Sequence, residues 1–167
     1  MKKLLVGLVI VYLLGVPHAI CQRIYKSHSV LSSGTWYKIG VTSPGIYKID
    51  ATFLKNLGAS SGSVPSSVIR LFGNGGTMLP EANNGSRTDD LSENAIQVVD
   101  GGDGVFNEGD YILFYAPGPN PWTPDSAAGS FHHTKNLYSD TAYYFLTVST
   151  NLTVGGNALR VSLEPAG

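Results

Sequence analysis

Apolar and polar side chains alternate with a period of two through "GTWYKIGVTSPGIYKID", residues 34 to 50, on both sides of Ser43-Pro44-Gly45. A period of two places alternate side chains on opposite faces of an extended chain, and proline and glycine between two such runs mark a turn. The pattern predicts a β-hairpin from Trp36 to Ile49, with Tyr37, Ile39 and Val41 sharing one face. The period then changes. Asp50 stands where a helix N-cap belongs, "ATFLKNL" gathers Phe53, Leu54 and Leu57 on one side, and Gly58 follows as a stop, so a helix of about two turns is expected.

Further along, "SVIRLF" (67 to 72), "NAIQVV" (94 to 99), "DYILFYA" (110 to 116), "TAYYFLTVST" (141 to 150) and "ALRVSLE" (158 to 164) have the length and the β-branched and aromatic content of strands. "NAIQVV" and "DYILFYA" flank one glycine-rich loop and are expected to pair. Residues 77 to 92 read as loop. Pro117 to Ser130 carries four prolines in 14 residues, which argues against regular structure through most of it and for an ordered arm or a flap. The expectation is an all-β domain, mainly antiparallel and sandwich-like, with about seven strands and one short α-helix.

The N-terminus belongs to none of this. Met1-Lys2-Lys3 followed by an apolar run from Leu4 to Val16 and then Pro17 reads as a secretory signal peptide. The run has 13 residues, short of the roughly 20 a spanning helix requires. Ala19 and Cys21 suit the positions before a cleavage site, so residues 1–21 are expected to leave and residues 22–167 to form one domain. A lipoprotein would retain Cys21, but would want a small residue where Ile20 stands. Cys21 is the only cysteine among 167 residues, so the trimmed chain has no thiol nucleophile, disulfide or thiolate metal site. Of the 11 basic residues Lys2 and Lys3 also leave; 9 then face 12 acidic ones, a formal charge of −3 against −1 for the whole sequence. That balance, without a basic cluster, disfavours nucleic acid and anionic lipid as partners.

Eight of the 12 acids lie between Glu81 and Asp110, which makes "VVDGGDGVFNEGDYILFYAPG" the first place to look for chemistry. With Asp103 as position five of a calcium loop, Asn107 and Asp110 fall at positions nine and twelve, but Val99 and Gly101 then occupy positions one and three and offer no side-chain oxygen. Asp100, Asp103 and Asp110 could pair for acid and base work only within a cleft. The preferred reading is a turn: Gly101, Gly102 and Gly104 let the backbone reverse, the aspartates bind local amides, and Phe106 anchors the loop inward. His132 and His133 would point to opposite faces of a strand and read as a surface pair. "GNGG" (73 to 76) lacks the Lys-Ser/Thr of a phosphate cradle, and no GxSxG elbow is present. Trp122 is expected to fold back over an open sheet edge, the alternative being a stacking platform for a sugar or a protein. Asn84-Gly85-Ser86 and Asn151-Leu152-Thr153 match the glycosylation sequon.

In this order, "GTWYKIGVTSPGIYKID" (34 to 50), "IRLFGNGG" (69 to 76), "DDLSENAIQVVDGGDGVFNEGDYILFYAPGPNPW" (89 to 122) and "YSDTAYYFLTV" (138 to 148) together resemble the N-terminal region of the type IX secretion sortases of Bacteroidetes, relatives of the gingipain cysteine peptidases. The resemblance implies a β-rich domain ahead of a caspase-like peptidase domain, in an exported, outer-membrane-associated protein at the cell surface. Such proteins look like transpeptidases that remove the C-terminal signal of secreted cargo and join the cargo to anionic lipopolysaccharide. Their catalytic cysteine and histidine lie in the later domain, so no catalytic, metal or cofactor residue is carried over. The implied partners are the chain's own downstream peptidase domain, outer-membrane proteins of the secretion machinery, and cargo. The ending "RVSLEPAG" reads as a truncation ahead of that domain. The triplets Asp125-Ser126-Ala127 and Asp140-Thr141-Ala142 also resemble the O-glycosylation pattern of exported proteins in that phylum. A stand-alone extracytoplasmic module binding calcium, glycan or peptide is the competing expectation.

Overall fold

A computed structural model of the chain describes residues 25–152 and 155–162. The expected signal peptide, Leu163 and Glu164 of "ALRVSLE" and Thr153 of the second sequon lie outside them; Ala158 to Ser162 do not form the expected strand, Arg160 making only an isolated parallel bridge with Ile96. In chain order the elements are β1 (Tyr37–Val41), β2 (Gly45–Asp50), α1 (Ala51–Asn56), β3 (Val64–Pro65), β4 (Arg70–Phe72), β5 (Glu93–Asn94), β6 (Gln97–Val99), β7 (Val105–Phe106), β8 (Tyr111–Ala116), β9 (Trp122–Asp125), β10 (Ser130–His133) and β11 (Ala142–Thr147). Every ladder is antiparallel: a four-stranded sheet ordered β1-β11-β4-β5, a three-stranded sheet β2-β8-β6, and the pairs β10-β9 and β3-β7.

The two larger sheets face each other across one core. On β8, Ile112, Phe114 and Ala116 point in; on β11, Ala142, Tyr144 and Leu146 do the same. The Phe114 and Tyr144 rings meet at 5.5 Å, and Tyr47 stacks on Phe114 from β2 at 5.7 Å. This is the sandwich expected from the number of strand-like runs, built from more and shorter strands than the pattern suggested, because β3, β5 and β7 are two-residue rungs too brief to leave a period. "NAIQVV" and "DYILFYA" pair as expected, through Gln97↔Leu113 to Val99↔Tyr111. The helix also forms where expected: Asp50 Oδ1 accepts the Phe53 amide at 2.8 Å, Leu54 is buried, and Gly58 at φ +72° ends it.

The expected hairpin from Trp36 to Ile49 does not form. β1 joins β11 through five register pairs and β2 joins β8 through six, so Thr42 to Pro44 is a corner between sheets. Ser43 carbonyl accepts from the Tyr47 hydroxyl at 2.8 Å, and Gly118 lies so close that a Cβ there would stand 2.9 Å from Pro44 N. Splitting the strands lets both inner faces close on one core from opposite sides, which a flat two-stranded ribbon cannot do.

Tyr144 is fully buried, and its hydroxyl has no hydrogen-bond partner among the described residues. Burial, then Tyr115 and Tyr47, pushes its pKa up from the ordinary tyrosine value. An enclosed unpaired hydroxyl costs free energy that phenylalanine would not. Tyr144→Phe is therefore expected to leave the fold unchanged and raise stability by about 1 kcal/mol in urea unfolding; a loss of that size would mean the hydroxyl has a partner.

The polar lead is clamped by Asp90, which accepts from Ser29 Oγ and Val30 N, both at 2.8 Å, and from Leu91 N at 2.9 Å. Burial pushes the Asp90 carboxyl up, but the Ser29 hydroxyl, the Leu91 and Val30 amides and Lys26 outweigh it, leaving the pKa below its ordinary value. A carboxylate whose folded pKa is depressed contributes stability that is complete above its unfolded value and disappears as pH falls through the folded one. Unfolding free energy should thus decline below about pH 4, and Asp90→Asn should flatten that decline. An unchanged slope in the variant would remove Asp90 as its source.

Candidate functional site

The acidic loop was the strongest candidate for chemistry, and its geometry is that of a self-capped turn. Gly102 N donates to Asp100 Oδ1 at 3.1 Å, Val105 N to Asp103 Oδ1 at 2.8 Å, and Asn107 N to Asp110 Oδ2 at 2.7 Å. Gly101, Gly102 and Gly104 have φ of +68°, +85° and +76°, a region open to glycine and strained for other residues. Phe106 is buried, and β7 pairs with β3 to hold the loop on the core. The Asp100 carboxyl is held below its ordinary pKa first by the Ser66 hydroxyl and next by the Gly102 amide. The enclosed Ser66 Oγ lies outside strict hydrogen-bond geometry, so its effect acts through proximity while the Gly102 bond sets the orientation. Among the described residues no three His, Cys, Asp or Glu side chains converge as a metal site would require. Asp103→Ala should cost about 1 kcal/mol of stability through the lost turn bond, measurable by thermal melting; a cost near zero would mean the carboxylate does not hold the loop.

The closest assembly of charge lies elsewhere and was not read from the sequence. Arg70, on β4, donates through Nε to Glu93 Oε1 at 2.9 Å and through Nη2 to Oε2 at 2.5 Å, with both side chains about nine-tenths buried. Glu93 Oε1 also accepts the Leu159 amide at 2.9 Å, and Arg160 donates to Ser66 O at 2.8 Å and to Leu159 O at 3.0 Å. Burial lowers the Arg160 pKa from its ordinary value, with Glu93 opposing, Arg70 adding to the fall, and Asp100 opposing. A cleft of about 470 Å³ opens beside the two arginines, lined also by Ser67, Ser149 and Asn157. Glu93 and backbone carbonyls occupy the guanidinium donors on its wall, so this network ties β4 and β5 to the C-terminal segment. The one signal in the sequence was an arginine inside "VIRLF", a strand otherwise without charge.

The arm departs from expectation. Despite Pro124, β9 and β10 form a ladder from Ser130↔Asp125 to His133↔Trp122, because each strand of a two-stranded ribbon has one free side where proline is tolerated. Trp122 does not cover a sheet edge: it is 62 % exposed and stacks on His133 at 4.6 Å. His132 Nε2 lies 3.1 Å from Asp125 Oδ2 on the other face, so the two histidines diverge as a surface pair. The glycines of "GNGG" serve packing: a Cβ on Gly73 would stand 2.5 Å from the Tyr144 ring, and one on Gly76 would stand 2.6 Å from Ala142 Cβ. No helix among the described residues is long and apolar enough to cross a membrane.

What these sites define is a two-sheet β module whose charged side chains, where they converge, bind its own backbone and one another. The chain is similar to PorU, in the crystal structure of dimeric latent PorU from Porphyromonas gingivalis, at 33% sequence identity and a TM-score of 0.57. The match covers 83% of this chain and 11% of that one, so the chain spans about a ninth of the length of the protein it resembles. It has a PorU-like fold. No family model matches the chain, and no curated protein matches it.

Proposed function

We propose that the chain is the non-catalytic N-terminal β domain of a type IX secretion sortase, a gingipain-like cysteine endopeptidase that removes the C-terminal signal of secreted cargo and attaches the cargo to the cell surface. The likeness to PorU over 83% of the chain at 33% identity carries this reading. Peptide cleavage then belongs to a downstream domain, and this domain packs on it and docks cargo or outer-membrane components of the secretion machinery. The protein is exported and works at the outer membrane. Two features support the division of labour: the single cysteine, Cys21, falls in the segment expected to be removed, and the loop carboxylates are engaged by their own backbone amides.

Sequencing the gene beyond the codon for Gly167 tests the reading. Continuation into a domain with a cysteine and histidine pair is expected; a stop codon would overturn it. Protease treatment of intact cells, followed by detection with an antibody to this segment, tests the address. Loss of signal without lysis is expected, and full protection would place the domain inside the outer membrane.

A further inference from the structure

The corner at Thr42 to Pro44 sends β1 and β2 into different sheets, and each becomes an edge strand. Among the described residues β1 pairs only with β11 and β2 only with β8, so the opposite backbone side of each has no partner. Between these edges lies a groove of about 340 Å³. Buried Ile49 and Phe114 close its floor, and its walls offer Ile39, Tyr47 and the partly exposed Phe53 of α1. An apolar groove between unpaired strand edges has the features used to capture an extended chain: backbone donors and acceptors for a ladder, and recesses for alternate side chains.

Charge selects the occupant. Lys38 and Lys48 line the groove, one from each strand, and no carboxylate does. Neither lysine is ion-paired among the described residues. Lys38 Nζ lies 3.6 Å from the Tyr143 ring centroid and Lys48 Nζ 4.5 Å from that of Tyr111, so aromatic faces steady both while leaving their charge uncompensated. The nearby acid on β2, Asp50, caps α1. A positive rim on a chain of net negative charge is a local reversal of sign.

We infer that this groove docks an extended segment of another polypeptide, apolar at alternate positions and flanked by carboxylates, which adds a strand to β1 or β2. The inference stands on the topology and charge of this chain, whether or not it is part of a sortase. The probe is a blocked heptapeptide, Glu-Val-Thr-Val-Thr-Val-Glu, with a counterpart carrying lysine at both ends. By calorimetry at low salt the acidic peptide is expected to bind at least about tenfold more tightly, with the difference shrinking at 0.5 M salt. By amide hydrogen exchange it is expected to protect residues 37 to 41 or 45 to 50 and to leave β6 and β10 unchanged. The double variant Lys38→Gln with Lys48→Gln, folded by circular dichroism, is expected to lose the preference; should it not fold, the wild-type comparison still decides. Equal or absent binding of the two peptides, protection only at another strand, or concentration-dependent protection without peptide, which would indicate a second copy in the groove, would each overturn the inference.

Discussion

Glu93→Ala is expected to destabilise the chain by about 3–5 kcal/mol, the cost of stranding one partner of a buried ion pair. The mutation leaves the Arg70 guanidinium about nine-tenths buried without its bidentate acceptor. It also frees the Leu159 amide, which with the backbone bonds Ile96 N to Leu159 O at 3.4 Å and Val161 N to Ile96 O at 3.1 Å holds the C-terminal segment against the sheet. Urea unfolding should show the loss, and hydrogen exchange should accelerate first at 159 to 161. Arg70→Met together with Glu93→Leu should recover most of the stability, since an apolar pair of similar volume carries no desolvation cost. A single-variant loss below about 1 kcal/mol would mean the pair behaves as a surface bridge.

Gly76→Ala carries the second large effect, about 3 kcal/mol of destabilisation by overpacking. The new methyl would stand 2.6 Å from Ala142 Cβ and 2.7 Å from Pro119 Cα, and the second of these is backbone and cannot rotate away. Ala142 lies on β11 and Pro119 at the root of the arm, so relief requires that the two elements separate. Gly62 provides the control: a Cβ there meets nothing within 4 Å and its φ is not positive, so Gly62→Ala should be neutral within about 0.5 kcal/mol. Equal melting temperatures for the two variants would contradict the close approach at Gly76.

What was legible in the sequence was what local chemistry determines. Asp50 and Gly58 bound the helix because a cap and a stop act within one turn, and the loop at 100 to 110 could be read because each aspartate binds an amide two or three residues away. The β-branched and aromatic content of the runs that became β8 and β11 marked them as strands, and the number of such runs marked the sandwich-like class. Pairing was less legible, since a tight Ser-Pro-Gly turn suits a hairpin and a corner equally. The choice between them rests on Gly118 and on the partner strands β8 and β11, all more than 60 residues downstream of the turn. The ion pair escaped for the same reason: Arg70 and Glu93 lie 23 residues apart and meet only after β4 pairs with β5. The arm was legible in part: most of residues 117 to 130 lies outside strands as the prolines imply, but β9 forms through Pro124 because the prohibition on proline applies to the interior of a sheet, and a two-stranded ribbon has no interior.

Under the proposed function the chain carries partners and leaves cleavage to another domain. Mass spectrometry of a peptide containing a cargo C-terminal signal, incubated with the purified chain after removal of residues 1–21, tests this most directly. The peptide is expected to remain intact over hours, with or without calcium. Cleavage that persists on further purification and disappears in a variant of Asp100, Asp103 or Asp110 that is still folded would contradict the account.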